Sequence, residues 1–195
     1  HCFGMVLGTL ACCAAGATMI FPSEGFEPDK TMHVIKSENC TAVHGVPTMF
    51  SAMLASSEFE GKPIKSLRTG IMAGSQCPEI LMRRVLYDLG CSEITIAYGM
   101  TETSPISFQS DVNDPVDVRV STVGRIQPHC EVKIVDDDGS TCAVGQTGEL
   151  WTKGYLVMKG YWNDTEATQS SIENGWMKTG DLATIDNEGF CRIVG

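Results

Sequence analysis

The sequence predicts an α/β chain: a parallel sheet with covering helices, followed by a small antiparallel barrel or sandwich. Three observations predict it. Residues 18–98 alternate short apolar or β-branched runs with segments of helical spacing, the pattern of strand–helix–strand units. A polar, proline-containing stretch, Asp111–Asp117, breaks that alternation. After it come short strands separated by turn signals such as Asp138-Gly139 and Asn187-Glu188-Gly189. The division is placed at 1–115 and 116–195.

Each element has its own warrant. Residues 2–21 hold no charge and are long enough to span a bilayer, and Gly4 and Gly8 form a GxxxG pair. The stretch is rich in Gly, Ala, Cys and Thr rather than Leu and Ile, so membrane insertion is weakly favoured. The better reading is a buried helix, stopped by Gly16 at its C′ position, then a buried strand at Thr18–Phe21. Pro28 opens a helix over Asp29–Glu38, and Thr41–Gly45 reads as a strand. Thr48–Ser56 has apolar residues at helical spacing, Thr69–Gly74 is a strand, and Pro78–Leu89 is a helix with Gly90 after it. Glu93–Tyr98 is a β-branched strand. Cys130–Val135, Gly148–Thr152, Leu156–Met158, Thr184–Asp186 and Phe190–Val194 read as strands of the second part.

Composition narrows the function. Against 14 basic residues stand 24 acidic ones, a net charge of −10, and no basic stripe is present, so a nucleic-acid partner is not expected. Nine cysteines form no CxxC pair and no zinc spacing. Most sit in apolar runs, which points to a reducing, intracellular compartment. There the sequons Asn39-Cys40-Thr41 and Asn163-Asp164-Thr165 are chance matches. The chain opens at His1 inside an apolar run and ends at Gly195 after a strand-like stretch, so it reads as an internal fragment, with any targeting signal outside it.

In parallel α/β sheets, ligands bind beyond the carboxyl ends of strands. Those ends are Gly45-Val46-Pro47, Ala73-Gly74-Ser75-Gln76 and Tyr98-Gly99-Met100-Thr101. In the segment Tyr98–Thr103, Gly99 allows close backbone approach, Thr101 offers a hydroxyl and an amide to a phosphate, and Glu102 offers a carboxylate to Mg²⁺. The alternative is a strand entering a helix, with Thr103 or Ser104 as N-cap. Asp181, in Thr179-Gly180-Asp181, is either a turn residue or, at a strand start, an acceptor for two ribose hydroxyls. Gly74-Ser75-Gln76 is either a tight turn or a flat resting place for a base. His1 by itself is more often structural than catalytic. No GxSxG, HExxH, GxxxxGK[ST] or GxGxxG is present.

Taken in order, these segments resemble the adenylate-forming enzymes: acyl-CoA synthetases, luciferases and the adenylation domains of peptide synthetases. Tyr98–Glu102 is similar to the family's YGxTE motif and Val123-Gly124-Arg125 to its VGR segment. Gly148-Glu149-Leu150, with Gly154, Val157-Met158 and Gly160-Tyr161-Trp162, resembles its GEL…G…VMxGYW segment, and Thr179-Gly180-Asp181 its TGD motif. The segments His1–Gly4, Gly45–Phe50, Ala73–Ser75, Val123–Pro128 and Gly189–Gly195 are most similar to the medium-chain acyl-CoA synthetase branch, family member 2 type.

The resemblance implies ATP-dependent activation of a fatty acid as acyl-AMP, then transfer to CoA. It implies ATP, Mg²⁺ and CoA as the groups bound, with an aromatic acid or a non-catalytic binding role as alternatives. It implies that Glu102 holds the metal and that Thr101 contacts phosphate. Ala97, Tyr98, Gly99 and Met100 then line the nucleotide, with Tyr98 stacking on the base. Gly74, Ser75 and Gln76 flank the adenine, although the family often has Gly-Ala-Pro there and Gln76 departs from it. Asp181 holds the ribose, His1 lies near the acyl and CoA channel, and Val46 and Pro47 lie near the acyl pocket. It further implies a distorted β-barrel for the second part and no transmembrane segment. A phosphate loop is expected before His1, and a ribose-contacting Arg and a small domain with a catalytic Lys after Gly195, so the fragment alone is expected to be inactive. The compartment implied is the mitochondrial matrix in a eukaryote and the cytoplasm in a bacterium.

Overall fold

The computed structural model describes all 195 residues. They fall into two compact units, and neither is one continuous stretch. One comprises Leu7–Ile96 and Asp111–Val120. The other comprises His1–Val6, Ala97–Ser110 and Ser121–Gly195.

The unit built mainly from Leu7–Ile96 carries the parallel strands. Strand β1 (Ala42–Gly45) pairs in parallel with β2 (Thr69–Met72), and β2 with β3 (Glu93–Tyr98), in the registers Ala42↔Thr69 and Thr69↔Glu93. Helices connect them, as parallel pairing requires. Proline at the first turn starts α2 (Pro28–Ser37) and α3 (Pro47–Leu54), where its missing N–H costs nothing. Helix α4 (Glu79–Tyr87) follows Pro78 and is clipped by an Arg83–Glu79 ion pair at i,i+4. The apolar stripes of these helices supply Met32, Ile35, Phe50, Met53, Met82 and Val85 to a core shared with Met72, Ile94 and Ile96. Full burial of such side chains contributes about 1.5–3 kcal/mol each. The buried Arg119 guanidinium donates to the carbonyls of Ser92 and Ile94, tying the last turn of α5 (Val116–Ser121) to the start of β3.

The other unit is antiparallel. The last two residues of β3 pair with β4 (Phe108–Gln109), and β4 pairs with β5 (Arg125–Ile126). A second sheet runs in the order β10 (Cys191–Ile193), β9 (Trp176–Ile185), β7 (Gly148–Gly154), β6 (Cys130–Val135), with β8 (Ile172–Glu173) paired to β9. Helix α6 (Thr165–Ser171) is capped by Asp164, whose carboxylate accepts the Ala167 amide. Phe108, Ile134, Leu150, Ala183 and Cys191 form the core, with Val123, Ile126, Val132, Ile185 and Ile193 packed against it.

Several expectations are corrected. Residues 2–21 begin as a helix, a π-helical turn at Phe3–Leu10 running into α1 (Ala11–Ala15), and Gly16 stops it at φ +65°. None of that helix is buried, however, and Thr18–Phe21 forms no strand. Its small side chains bury little area, nothing lies within 4 Å of a Cβ placed at Gly4 or Gly8, and no strand pairs with Thr18–Phe21. No helix is long and apolar enough to cross a membrane. Leu156–Met158 is a turn, because its amides are used elsewhere: Val157 N–H bonds the Gly154 carbonyl and Met158 N–H the Glu102 carbonyl. The polar stretch Asp111–Asp117 already contains the start of α5.

Candidate functional site

The loop after β3 is set by its glycine. A Cβ on Gly99 would lie 2.1 Å from the Pro105 carbonyl oxygen and 2.7 Å from Ile106 Cα, so only glycine lets the returning backbone approach. The loop then closes as a 3₁₀ turn, Thr101–Thr103. Thr103, fully buried, holds it from inside: its Oγ1 accepts the Met100 amide at 3.1 Å, and its own amide donates to the Met100 carbonyl at 3.0 Å. Ser104 ends the turn in the left-handed region at φ +56°. Neither Thr103 nor Ser104 caps a following helix, since the chain turns back into β4 instead.

This turn presents Thr101 and Glu102 outward. Thr101 is exposed, and its Oγ1 accepts the Cys2 thiol at 3.3 Å. Two bonds hold Glu102: the Tyr161 phenol donates to Oε1 at 2.8 Å, and Met158 N–H donates to its carbonyl at 2.9 Å. The bond to Glu102 raises the Tyr161 pKa, so the phenol stays a donor at neutral pH. Oε2 of Glu102 takes part in no hydrogen bond or ion pair.

Asp181 is not at a strand start. It lies within β9, in a bulge. Glu149 pairs with Leu182 and Trp151 with Lys178, so Thr179, Gly180 and Asp181 all face the single residue Leu150. Three bonds shape the bulge: Thr179 Oγ1 donates to the Leu150 carbonyl at 2.7 Å, Asp181 N–H donates to Thr179 Oγ1 at 3.1 Å, and Gly180 N–H donates to Glu149 Oε1 at 2.9 Å. Asp181 Oδ2 accepts the Tyr98 phenol at 2.5 Å. Burial first, then Asp181, pushes the Tyr98 pKa up, which keeps it protonated and donating. Thus Tyr98 and Asp181, 83 positions apart, meet directly. Ala97, buried, is the penultimate residue of β3 and pairs with Gln109. His1 is exposed, and only its carbonyl is engaged, by Met5 N–H at 3.3 Å.

The remaining candidates belong to the other unit. Val46 caps α3, its carbonyl accepting the Met49 and Phe50 amides, and Pro47 is buried at the helix start. Gly74 adopts φ +89°, and a Cβ there would meet Val46 Cγ1 at 3.1 Å, so the ends of β1 and β2 are in contact. Ser75 and Gln76 are exposed and their side chains make no hydrogen bond. Sequence reasoning missed Thr103, Tyr161, Glu149 and Thr179 as holders of the candidate residues. The GEL and GYW segments were signals for two of them, but their partners depend on β7–β9 register and on a turn.

Comparison with known proteins decides the family. Residues 1–162 match the AMP-binding enzyme family. The chain belongs to that family. It is 50% identical over 199 residues to YngI of Bacillus subtilis, named as a candidate acyl-CoA synthetase, covering 100% of this chain and 36% of that protein. It is 42% identical over 197 residues to the mitochondrial medium-chain acyl-CoA ligase ACSF2 of Danio rerio, covering 100% of this chain and 32% of that one. Among solved structures, the o-succinylbenzoate coenzyme A synthetase of Bacillus subtilis in complex with ATP and magnesium ion superposes with a TM-score of 0.84 at 29% identity, over 99% of this chain and 38% of that one. The chain therefore spans about a third of the length of these relatives, and the mixed α/β fold is that of adenylate-forming enzymes.

Proposed function

We propose that the intact protein is an AMP-forming acid–CoA ligase: it activates a carboxylate with ATP as acyl-AMP, releasing pyrophosphate, and transfers the acyl group to the CoA thiol. The observation that supports it most is the pair of fixed carboxylates, Glu102 on its clamped turn and Asp181 on its bulge. A carboxylate attacking the α-phosphate of ATP meets a highly charged group, and the reaction needs that charge neutralised and the nucleotide fixed. Glu102 suits a hard cation that keeps most of its ligands from phosphate and water: one oxygen is oriented by Tyr161 and the other is open. Mg²⁺ held there with the phosphates would supply charge neutralisation. Thr101 offers its exposed hydroxyl to phosphate. Asp181 is read as the ribose acceptor and Tyr98, with Ala97, Gly99 and Met100, as the nucleotide-facing edge. Gly74, Ser75 and Gln76 are read as the adenine turn, Val46 and Pro47 as acyl-pocket residues, and His1 as a residue of the acyl and CoA channel.

A medium-chain fatty acid is the substrate favoured by the likeness to ACSF2. An aromatic acid is the second reading, favoured by the likeness to the o-succinylbenzoate enzyme. A reducing intracellular compartment fits the nine cysteines, all of them free. The test is carboxylate-dependent ATP–pyrophosphate exchange by the intact protein with acids from acetate to palmitate, coumarate and o-succinylbenzoate, followed by addition of CoA. A peak at medium chain with CoA-dependent AMP release supports the reading. No exchange with any acid, despite ATP binding, means a non-catalytic relative. Glu102→Ala should lower exchange by about 10²–10³-fold, as losing a charge-stabilising group does. Thioester formation from supplied acyl-AMP should fall far less, and the reverse pattern would remove Glu102 from the metal role.

A further inference from the structure

Glu149 has no role in the reading above, yet it carries two bonds at the back of the bulge. Oε1 accepts Gly180 N–H at 2.9 Å and Oε2 accepts the Trp151 indole N–H at 2.8 Å. Both carboxylate oxygens are therefore used, one on the bulge and one on a side chain of its own strand. Trp151 is itself held: the ammonium groups of Lys133 and Lys178 lie 4.4 and 4.9 Å from its ring centroid. The chain of contacts runs from a ring fixed between two cations, through Glu149, to the amide that precedes Asp181.

A three-residue bulge whose middle residue, Gly180, is exposed has many available conformations, and each must be suppressed if a carboxylate is to meet two hydroxyls. Thr179 fixes the first residue of the bulge, through Leu150, and the Asp181 amide. Only Glu149 fixes the middle one, because Gly180 N–H has no other acceptor. We propose that Glu149 is a positioning residue that holds Gly180 so that the Asp181 carboxylate is oriented for the ribose hydroxyls of the nucleotide. The inference rests on Asp181 being the ribose acceptor.

The chemistry of the partners makes the isosteric variant informative. In Glu149→Gln the side-chain amide keeps one carbonyl oxygen but faces two N–H donors with one acceptor. Either Gly180 or Trp151 loses its bond, and an NH₂ then opposes an N–H. Trp151→Phe removes the second donor without touching the carboxylate, and frees Glu149 to change rotamer.

The experiment compares kcat/KM in ATP–pyrophosphate exchange for ATP and for 2′-deoxy-ATP, in the intact wild-type protein, Glu149→Gln, Trp151→Phe and Asp181→Ala. A general structural defect lowers both nucleotides together and leaves their ratio alone. A positioning defect lowers the ratio. The expected result is a preference for ATP in the wild type, abolished in Asp181→Ala, which leaves no side-chain acceptor. It is cut about tenfold in Glu149→Gln, the size of one charge-assisted hydrogen bond, and less in Trp151→Phe, with the KM for the acid unchanged. If Asp181→Ala abolishes the preference while Glu149→Gln and Trp151→Phe both keep the wild-type ratio, the positioning role is wrong and the ribose reading stands. If Asp181→Ala keeps the preference, both fall.

Discussion

The turn at Gly74–Gln76 and the bulge at Thr179–Asp181 are both read as nucleotide contacts, yet they are built in opposite ways. The turn offers shape. Ser75 and Gln76 have no side-chain bonds, and what fixes the path is Gly74 at φ +89° against Val46 Cγ1, together with the Cys77 thiol donating to the carbonyls of Met72 and Ser75 at 3.5 Å each. The bulge offers charge. Glu149, Leu150 and Tyr98 bond to it, and Thr179 braces it from within. The difference fits what each is proposed to do. A flat base is accommodated by an absence of side chain, whereas a carboxylate must be aimed, and its neighbours must supply the donors that hold it.

The largest expected effect tests what anchors the turn. Burial pushes the Cys77 thiol up to about 12, against about 8.5 for a free cysteine. The folded state keeps its proton where the unfolded state loses it. The stability due to this thiol is therefore fully present below about pH 8.5 and declines as pH rises toward the folded value. At pH 8, Cys77 should react with a thiolate-selective reagent about 10³-fold more slowly in the folded protein than in the denatured one. Mass spectrometry of the labelled peptide measures this, and comparable rates would show that the turn is open rather than held.

The bulge gives the next largest effect. Asp181→Ala removes the proposed acceptor for two ribose hydroxyls and should lower kcat/KM for ATP by about 100-fold, two charge-assisted bonds at the low end of their range. Gly74→Ala should do less, and do it through the fold. A non-glycine residue in the left-handed region costs about 1–2 kcal/mol, or roughly tenfold in the folding equilibrium, read as a shift of the urea midpoint. The comparison breaks if Gly74→Ala costs more nucleotide affinity than Asp181→Ala, because the turn would then be carrying the binding energy.

The contrast also explains what could be read in advance. Strands β3 and β6 match the sequence reading residue for residue, because β-branched and alternating runs bounded by Gly, Pro and Asp are local signals. Gly16 as a helix stop and Asn187-Glu188-Gly189 as a hairpin turn are equally local. Thr18–Phe21 fails because an apolar run becomes a strand only if another strand pairs with it, and none does. Leu156–Met158 fails for a related reason, its amides being drawn to Gly154 and Glu102. At the site, the candidate residues are legible as motif letters, but their holders are not. Glu149 reaches Gly180 only because β9 bulges by two residues against β7, and Tyr161 reaches Glu102 across 59 positions. Nothing local in the sequence encodes either pairing.

The smallest expected effect is the most discriminating one for the turn. Gln76 is exposed and its side chain bonds to nothing, so Gln76→Ala should shift stability by less than about 0.5 kcal/mol, as surface changes away from special features do. If the turn contributes shape alone, the KM for ATP should also stay within about twofold, since the backbone of Gly74 and Ser75 is untouched. A rise of tenfold or more with unchanged stability would mean that the Gln76 amide bonds the base edge. The turn would then read the nucleotide chemically, as the bulge does, through a side chain that lies free until the nucleotide arrives. GTP against ATP separates the two cases, because an amide that bonds the base edge discriminates between a 6-amino and a 6-oxo purine, and a flat resting place does not.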